Sequence, residues 1–214
     1  MPEGCKGHPL FARFYARVSP GMDAEGMAGY RRGALAGLAG SVIEAGAGNG
    51  LNFVHYPPGV TGVLAVEPDP YLRRIAEQHA GRAPVPVEVR AGMAERLPGA
   101  DGSFDAAVVT LMLCSVADQR AVLAELRRVV RPGGQLRFIE HVRADTSGLR
   151  RVQRVLDATV WPALGGGCHV GRDTLAGIAG AGFTVVRSEA FRFPQSRIPP
   201  PAAPHVWGIA TRDP

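Results

Sequence analysis

A run of apolar residues that breaks into alternating glycines, Val42-Ile43-Glu44-Ala45-Gly46-Ala47-Gly48-Asn49-Gly50, constrains this chain more than any other feature. The apolar run reads as a strand. The glycines read as a tight turn whose backbone takes conformations closed to other residues and lets a ligand approach the main chain. A second apolar run, Gly62 to Val66, ends in Glu67, where a carboxylate can accept both hydroxyls of a ribose. The pattern predicts a nucleoside-bearing ligand. The dinucleotide fingerprint G-x-G-x-x-G puts its third glycine where the following helix packs on the strand. Here Leu51 occupies that place and the glycines run G-x-G-x-G, which argues against a dinucleotide. Glu67 suits either ligand and does not separate them.

The chain has 214 residues, 46% of them hydrophobic, enough for one α/β domain with a substantial core. No apolar run reaches the roughly 18 residues of a membrane span. Met1-Pro2-Glu3-Gly4-Cys5-Lys6 has no signal-peptide core, so a cytoplasmic location is expected. Cys5, Cys114 and Cys168 are odd in number, far apart and free of any C-x-x-C, which argues against a disulfide framework or a zinc finger. The net charge of +5 comes from arginines spread along the chain, with Lys6 the single lysine. No aromatic-interleaved basic stretch accompanies it, so nucleic acid is not an expected partner.

Apolar runs alternate with helical periodicity, the signature of a mostly parallel sheet with helices on both faces. Helices are predicted over 10–18 and 23–38 and strands over 41–45 and 62–67, with a short helical piece at 52–55 stopped by Pro57-Pro58-Gly59. Pro70 opens a helix to Ala80, and strands follow over 85–90 and 104–111. The helix over 119–130 turns Ala121, Leu123, Leu126, Val129 and Val130 inward, and Arg131-Pro132-Gly133-Gly134 ends it before a strand at 135–140. Helices over 149–164 and 173–181 and strands over 183–187 and 206–211 complete the chain. No crossover helix separates the last two strands, so they are expected to be antiparallel.

Further motifs occur in register: Ala91-Gly92-Met93-Ala94-Glu95-Arg96-Leu97-Pro98, Asp101-Gly102-Ser103-Phe104-Asp105, and Leu126 to Gly134. With the glycine turn, Glu44 before it and Glu67, they make residues 41–140 resemble the class I S-adenosylmethionine (SAM) methyltransferases. A narrower likeness covers nearly the whole chain. It is carried by Tyr56-Pro57-Pro58-Gly59, Glu67-Pro68-Asp69-Pro70, Thr110 to Val116, Phe138-Ile139-Glu140-His141-Val142, Leu156-Asp157, Trp161, Gly167-Cys168 and Pro204-His205-Val206. In these the chain resembles the methyltransferase-like group whose animal members methylate alkyl thiols, and whose bacterial relatives include S-methyltransferases that tailor dithiol natural products. The animal members carry an N-terminal membrane anchor with no counterpart in this sequence, so membrane association is not expected.

The resemblance implies an α/β fold with a seven-stranded, mostly parallel Rossmann-like sheet whose last strand is antiparallel. It also implies SAM as methyl donor, with S-adenosylhomocysteine as product. The chain divides accordingly into an N-terminal helical cap (1–38), a SAM-binding core (41–140) and an acceptor-side region (141–214). SAM contacts are implied for Glu44, Gly46, Ala47, Gly48, Asn49, Gly50, Asn52, Glu67, Pro68, Met93, Ala94, Glu95, Thr110, Leu111 and Cys114. Asn49 stands where the group often has Thr or Ser. Tyr15 is read as closing over the cofactor or packing in the core.

Methyl transfer from a sulfonium is an in-line displacement, so positioning supplies much of the rate, roughly 7–11 kcal/mol. A thiol of pKa about 8.5 is already partly ionised near neutrality and highly nucleophilic, so no obligatory base is predicted for a sulfur acceptor. A small thiol is the expected substrate. The alternatives are O- or N-methylation of a small metabolite or lipid headgroup, and, in another class, SAM binding without catalysis. His141, after the fifth strand, is read as a base or acceptor contact, or as a loop histidine. Asp23, Tyr30, Trp161, His169, Phe193 and His205 are candidates for the acceptor pocket, each with packing, capping or a solvated face as its alternative; Phe191 stands beside Phe193 in this reading. Cys114 is read as pocket wall. Cys168 and His169 are too close in sequence for a metal pair and no acidic cluster completes a set, so no metal is expected. The expected assembly is a monomer or homodimer.

Overall fold

The computed structural model describes residues 9–214; Cys5, Lys6 and the first part of the expected cap lie outside the described residues. The chain opens with helix α1 (Pro9–Met22), a π-turn at Asp23–Met27 and helix α2 (Ala28–Leu35). The two predicted helices thus form one nearly continuous element, bent at Gly26, whose φ of 126° no helix accommodates. There follow β1 (Gly40–Ala45), a 3-10 turn at Phe53–His55, β2 (Val60–Val66), α3 (Pro70–Ala80), β3 (Val87–Arg90), β4 (Phe104–Thr110), α4 (Gln119–Val129) and β5 (Val130–His141). The last third holds α5 (Ser147–Asp157), α6 (Trp161–Leu164), α7 (Thr174–Gly180), β6 (Phe183–Arg192) and β7 (Pro204–Arg212). The single helix expected over 149–164 is two, because the chain leaves the helix after Asp157 and restarts at Trp161 with Pro162 in its first turn.

The strands form one seven-stranded sheet in the order β3-β2-β1-β4-β5-β7-β6. β7 runs antiparallel to both β5 and β6, as the missing crossover helix required, and the remaining pairs are parallel. β1 and β4 are covered on both faces, which is why their sequences are apolar runs without alternation. Ile43, Ala45, Ala107 and Val109 pack on one side with Leu123, Leu126 and Val129 of α4. Val42, Ala106 and Val108 pack on the other with Leu35, Leu38, Phe53 and Ala76. Asp69 and Asp118 start α3 and α4 by accepting hydrogen bonds from backbone N–H groups of the first turn. The chain order reverses between β1 and β4. Beyond the carboxyl ends of these strands lies the crevice that open α/β sheets use for ligands.

Candidate active site

The glycine turn leaves β1 at this crevice. Gly46 and Ala47 donate to the carbonyl of Val66, 2.9 and 3.1 Å away, and so tie the turn to the end of β2. Gly46 has a φ of 69° and Gly50 one of 79°; a Cβ at the first would lie 2.4 Å from Met112 Cγ and at the second 2.6 Å from the Phe53 ring. Both positions therefore require glycine. Glu67 fixes the next glycine: its Oε2 accepts from Gly48 N at 2.7 Å and its Oε1 from Asp69 N at 2.9 Å. Burial pushes the Glu67 carboxyl up from its ordinary pKa, and the two backbone donors pull the other way.

Behind the turn runs a buried polar chain. Tyr56 OH donates to Glu44 Oε2 at 2.6 Å, Asn52 Nδ2 donates to Glu44 Oε1 at 2.8 Å and to Thr110 Oγ1 at 3.0 Å, and Arg31 Nη1 donates to Asn52 Oδ1 at 2.9 Å. Arg31 Nε completes it on Asp23 Oδ1 at 2.9 Å. Asp23 thus anchors the cap by an ion pair that is largely shielded from water, and the solvated-face alternative does not hold. Asn49 Nδ2 adds a bond to Ser19 Oγ of α1 at 3.0 Å. Burial lifts the Glu44 carboxyl to about 7 against the opposing bonds from Tyr56 and Asn52. Tyr15 packs against Gly48, and burial raises its phenol pKa.

An open cleft of about 610 Å³ lies above these elements. Of the residues singled out from the sequence, Tyr15, Gly46, Gly48, Glu67, Pro68, Met93, Ala94, Glu95, Thr110, Leu111 and His169 line it. Glu44, Asn49 and Asn52 are buried behind the turn, as parts of the polar chain that supports it. Ala47 and Gly50 are likewise buried. The far end of the cleft is bordered by Phe11, Met112, Ser115, Val116, Gly166 and Gly167. His169 is the titratable side chain there among the described residues, and its Nδ1 is held 2.8 Å from the Gly167 carbonyl.

A second turn, after β4, is less visible in sequence. Leu111 takes a φ of 54°, a conformation that costs a residue with a Cβ about 1–3 kcal/mol. The result is that Met112, Leu113 and Cys114 all aim their N–H groups at the buried Glu140, at 2.9, 2.8 and 3.1 Å. Charge-assisted bonds of this kind offset the strain. Burial still holds the Glu140 carboxyl up at about 7. Arg172 grips the same turn, donating to the carbonyls of Leu113 at 2.6 Å and Val116 at 2.7 Å. In the sequence Glu140 stands only at the end of a strand and within a family motif, Arg31 reads as one of a solvated helical arginine pair, and Arg172 carries no signal. An acid closing an apolar strand is the signal that was available for Glu140.

This turn brings Cys114 to His141 and Cys168. Cys114 Sγ lies 3.5 Å and Cys168 Sγ 3.7 Å from His141 Nδ1. A hydrogen bond from Cys114 lowers the pKa of Cys168, and Cys114 is raised by the same partnership and by burial. Trp161 packs on this group. Tyr30, Phe193 and His205 are elsewhere. Tyr30 stacks on Phe191 with ring centroids 3.6 Å apart, Phe191 faces His205, and Phe193 is buried with Met27, Ile139 and Trp207. They form an aromatic column that reaches the cluster where His205 meets His141, at 4.3 Å, and they do not line the cleft. Burial lowers the His205 pKa to about 3.

A model of the methyltransferase domain family matches residues 43–138. The fold is shared with a SAM-dependent methyltransferase of Thermotoga maritima, with a TM-score of 0.67 and 23% identity over 95% of this chain and 98% of that one. Fold and turn together define a SAM-dependent methyltransferase. SAM fits the residues present: the Glu67 oxygens border the cleft with lone pairs beyond those its two backbone donors use, and Gly46 and Gly48 line it with no side chain of their own. The chain belongs to the family of the thiol S-methyltransferases. The thiol S-methyltransferase TMT1B of Homo sapiens is 35% identical over 189 residues, 83% of this chain and 74% of the relative. TMT1A of Homo sapiens is 36% identical over 179 residues, 80% of this chain and 70% of the relative.

Proposed function

We propose that this protein transfers the methyl group of SAM to the sulfur of a small, partly apolar thiol. When bound, SAM supplies an electrophilic methyl on a sulfonium and leaves as S-adenosylhomocysteine. The observation that carries the choice of sulfur is the far end of the cleft. Phe11, Met112 and Val116 make it apolar, which suits a partly apolar thiol, and His169, whose Nδ1–H donates to the Gly167 carbonyl, keeps Nε2 as its basic atom. An alcohol would depend on that one base, whereas a thiol is partly ionised without it, so the choice of sulfur rests on the apolar wall. The kinship with thiol S-methyltransferases supports the same reading.

In this reading residues 41–140 hold the donor. Glu67 takes the ribose hydroxyls, Gly46 and Gly48 face the amino-acid end, with Ala47 and Asn49 holding the turn from behind, Met93, Ala94 and Glu95 line the adenine, and Thr110 and Leu111 stand beside the methyl group. Tyr15 from the cap excludes water, and residues 141–214 shape the acceptor side. Among the described residues no helix is long and apolar enough to cross a membrane. We place the enzyme in the cytoplasm, acting on a small molecule as a monomer or homodimer. The test is to offer the purified protein labelled SAM with panels of alkyl thiols, phenols and amines. Methylated thiols are expected; turnover of phenols or amines with every thiol refused would overturn the choice of sulfur.

A further inference from the structure

We propose that Cys114, His141 and Cys168 form a three-ligand zinc site whose fourth position takes the acceptor thiol; the second half of this rests on the sulfur reading above. One ligand atom from each of the three lies within 4.8 Å of the others. The two sulfur-to-Nδ1 distances are 3.5 and 3.7 Å. With Zn–S of about 2.3 Å and Zn–N of about 2.0–2.1 Å, tetrahedral coordination puts neighbouring ligand atoms about 3.5–3.8 Å apart. Both sulfur-to-nitrogen spacings are therefore already those of coordination. Two thiolates and an imidazole are a donor set that suits zinc, and three protein ligands with one open position is the pattern of catalytic rather than structural zinc.

The three ligands come from separate parts of the chain, and the fold holds each in place. Cys114 sits on the turn that Leu111 strains and Glu140 clasps. Cys168 sits on a loop pressed against that turn: His169 N donates to the Cys114 carbonyl at 2.7 Å, and a Cβ on Gly167, whose φ is 90°, would lie 2.6 Å from the Ser115 carbonyl. Only glycine allows this approach, which carries Cys168 to its partner. Trp161 packs against the two cysteines, and among the described residues its buried Nε1 has no partner at full hydrogen-bond distance. Its N–H helps to lower the Cys168 pKa and is a donor for anionic sulfur. Ser115, Gly167 and His169, the chain neighbours of the two cysteines, border the far end of the cleft.

The chemistry balances without a redox partner. The thiol gives its proton to solvent as its sulfur takes the fourth position. A lone pair on that sulfur then forms the new bond to the methyl carbon, while the bond from the methyl to the SAM sulfonium breaks and leaves its electron pair on the SAM sulfur. The product is a neutral thioether, a weaker ligand than a thiolate, so it departs and reopens the position.

The experiment uses the whole purified chain, prepared under reductant. Elemental analysis is expected to find one zinc per chain. Cobalt(II) put in its place is expected to give tetrahedral d–d bands with thiolate charge transfer that shift when an alkanethiol is titrated in. Cys168→Ser and His141→Ala are expected to lose the metal while still binding SAM by calorimetry, which shows that they fold. Metal-free enzyme at pH 7 is expected to slow toward a thiol of cysteine-like pKa, about 8.5, by up to about 30-fold, the ratio of total thiol to thiolate, and to regain rate as pH rises. The proposal is overturned by a wild-type chain that binds neither ion, by variants that keep the metal, or by a cobalt spectrum indifferent to thiol. It is also overturned by metal-free enzyme that methylates thiols at the loaded rate and pH profile, a result that leaves the sulfur reading standing. Loaded enzyme that accepts phenols or amines and refuses thiols removes the sulfur reading and the fourth-ligand role together, while the metal content still reports on the three ligands.

Discussion

The two turns that meet at the cleft are built on opposite plans. The first, Gly46 to Gly50, is written in consecutive residues: glycines supply the backbone conformation and Glu67, at the end of the adjacent strand, holds Gly48 N at 2.7 Å. The second, Leu111 to Cys114, has no glycine and is held in a left-handed start by a carboxylate 26 to 29 residues further on, Glu140, and by Arg172 beyond that. Conformational freedom makes the first turn. Tertiary contacts impose the second. The difference teaches that the first turn takes its conformation from its own residues, whereas the second depends on segments that meet only when the sheet is complete.

The largest effect that would test this contrast is at Glu67. Glu67→Ala removes the acceptor of Gly48 N and the proposed partner of the ribose, and each hydrogen bond to a charged group contributes about 1.5–3 kcal/mol. A loss of roughly 100-fold or more in SAM affinity by calorimetry is expected, and wild-type affinity would remove Glu67 from the donor site. Next is Gly50→Ala. Its Cβ would lie 2.6 Å from the Phe53 ring and 3.2 Å from Ala76 Cα, on a backbone of positive φ. Overpacking and strain together should lower unfolding stability by about 2–3 kcal/mol in urea; an unchanged midpoint would break the claim that the first turn requires glycine.

Glu140→Gln should cost the second turn about 1–2 kcal/mol by weakening its charge-assisted bonds. It should slow methyl transfer while leaving SAM affinity near wild type; equal losses in both would erase the separation between donor and acceptor sides. A last prediction concerns pH. Burial raises both Glu44 and Glu140 to about 7 in the folded protein. For a carboxyl raised in this way the folded state binds more protons than the unfolded one, so its contribution to stability is full below about pH 4.3 and is lost as pH rises through 7. Ligand-free protein in urea is expected to lose stability from pH 5 to pH 7.5, less so in Glu44→Gln, and a flat profile would show that neither carboxyl keeps its proton on folding.

How far the sequence carried differs between these regions for the same reason. The sheet, its reversed last strand and the glycine turn were legible because apolar runs, proline, glycine and helix caps act over a few residues. The acceptor side was not. Trp161, His169 and His205 were named together, yet only His169 borders the cleft, Trp161 packs on the two cysteines, and His205 closes an aromatic column against His141. Phe193 is buried in a core with Ile139 and Trp207. No spacing rule joins Cys114 to Cys168, since what brings them together is a glycine at 167 and a backbone bond from His169.

The sequence by itself determined the class of fold, the donor turn and the residue that closes it, since each rests on the intrinsic preferences of neighbouring residues. Only the tertiary structure decided that Glu44 supports the turn from behind, that Glu140 shapes the next one, and that Cys114, His141 and Cys168 share one small volume. Those outcomes depend on which distant side chains burial forces together, and burial is a property of the folded whole.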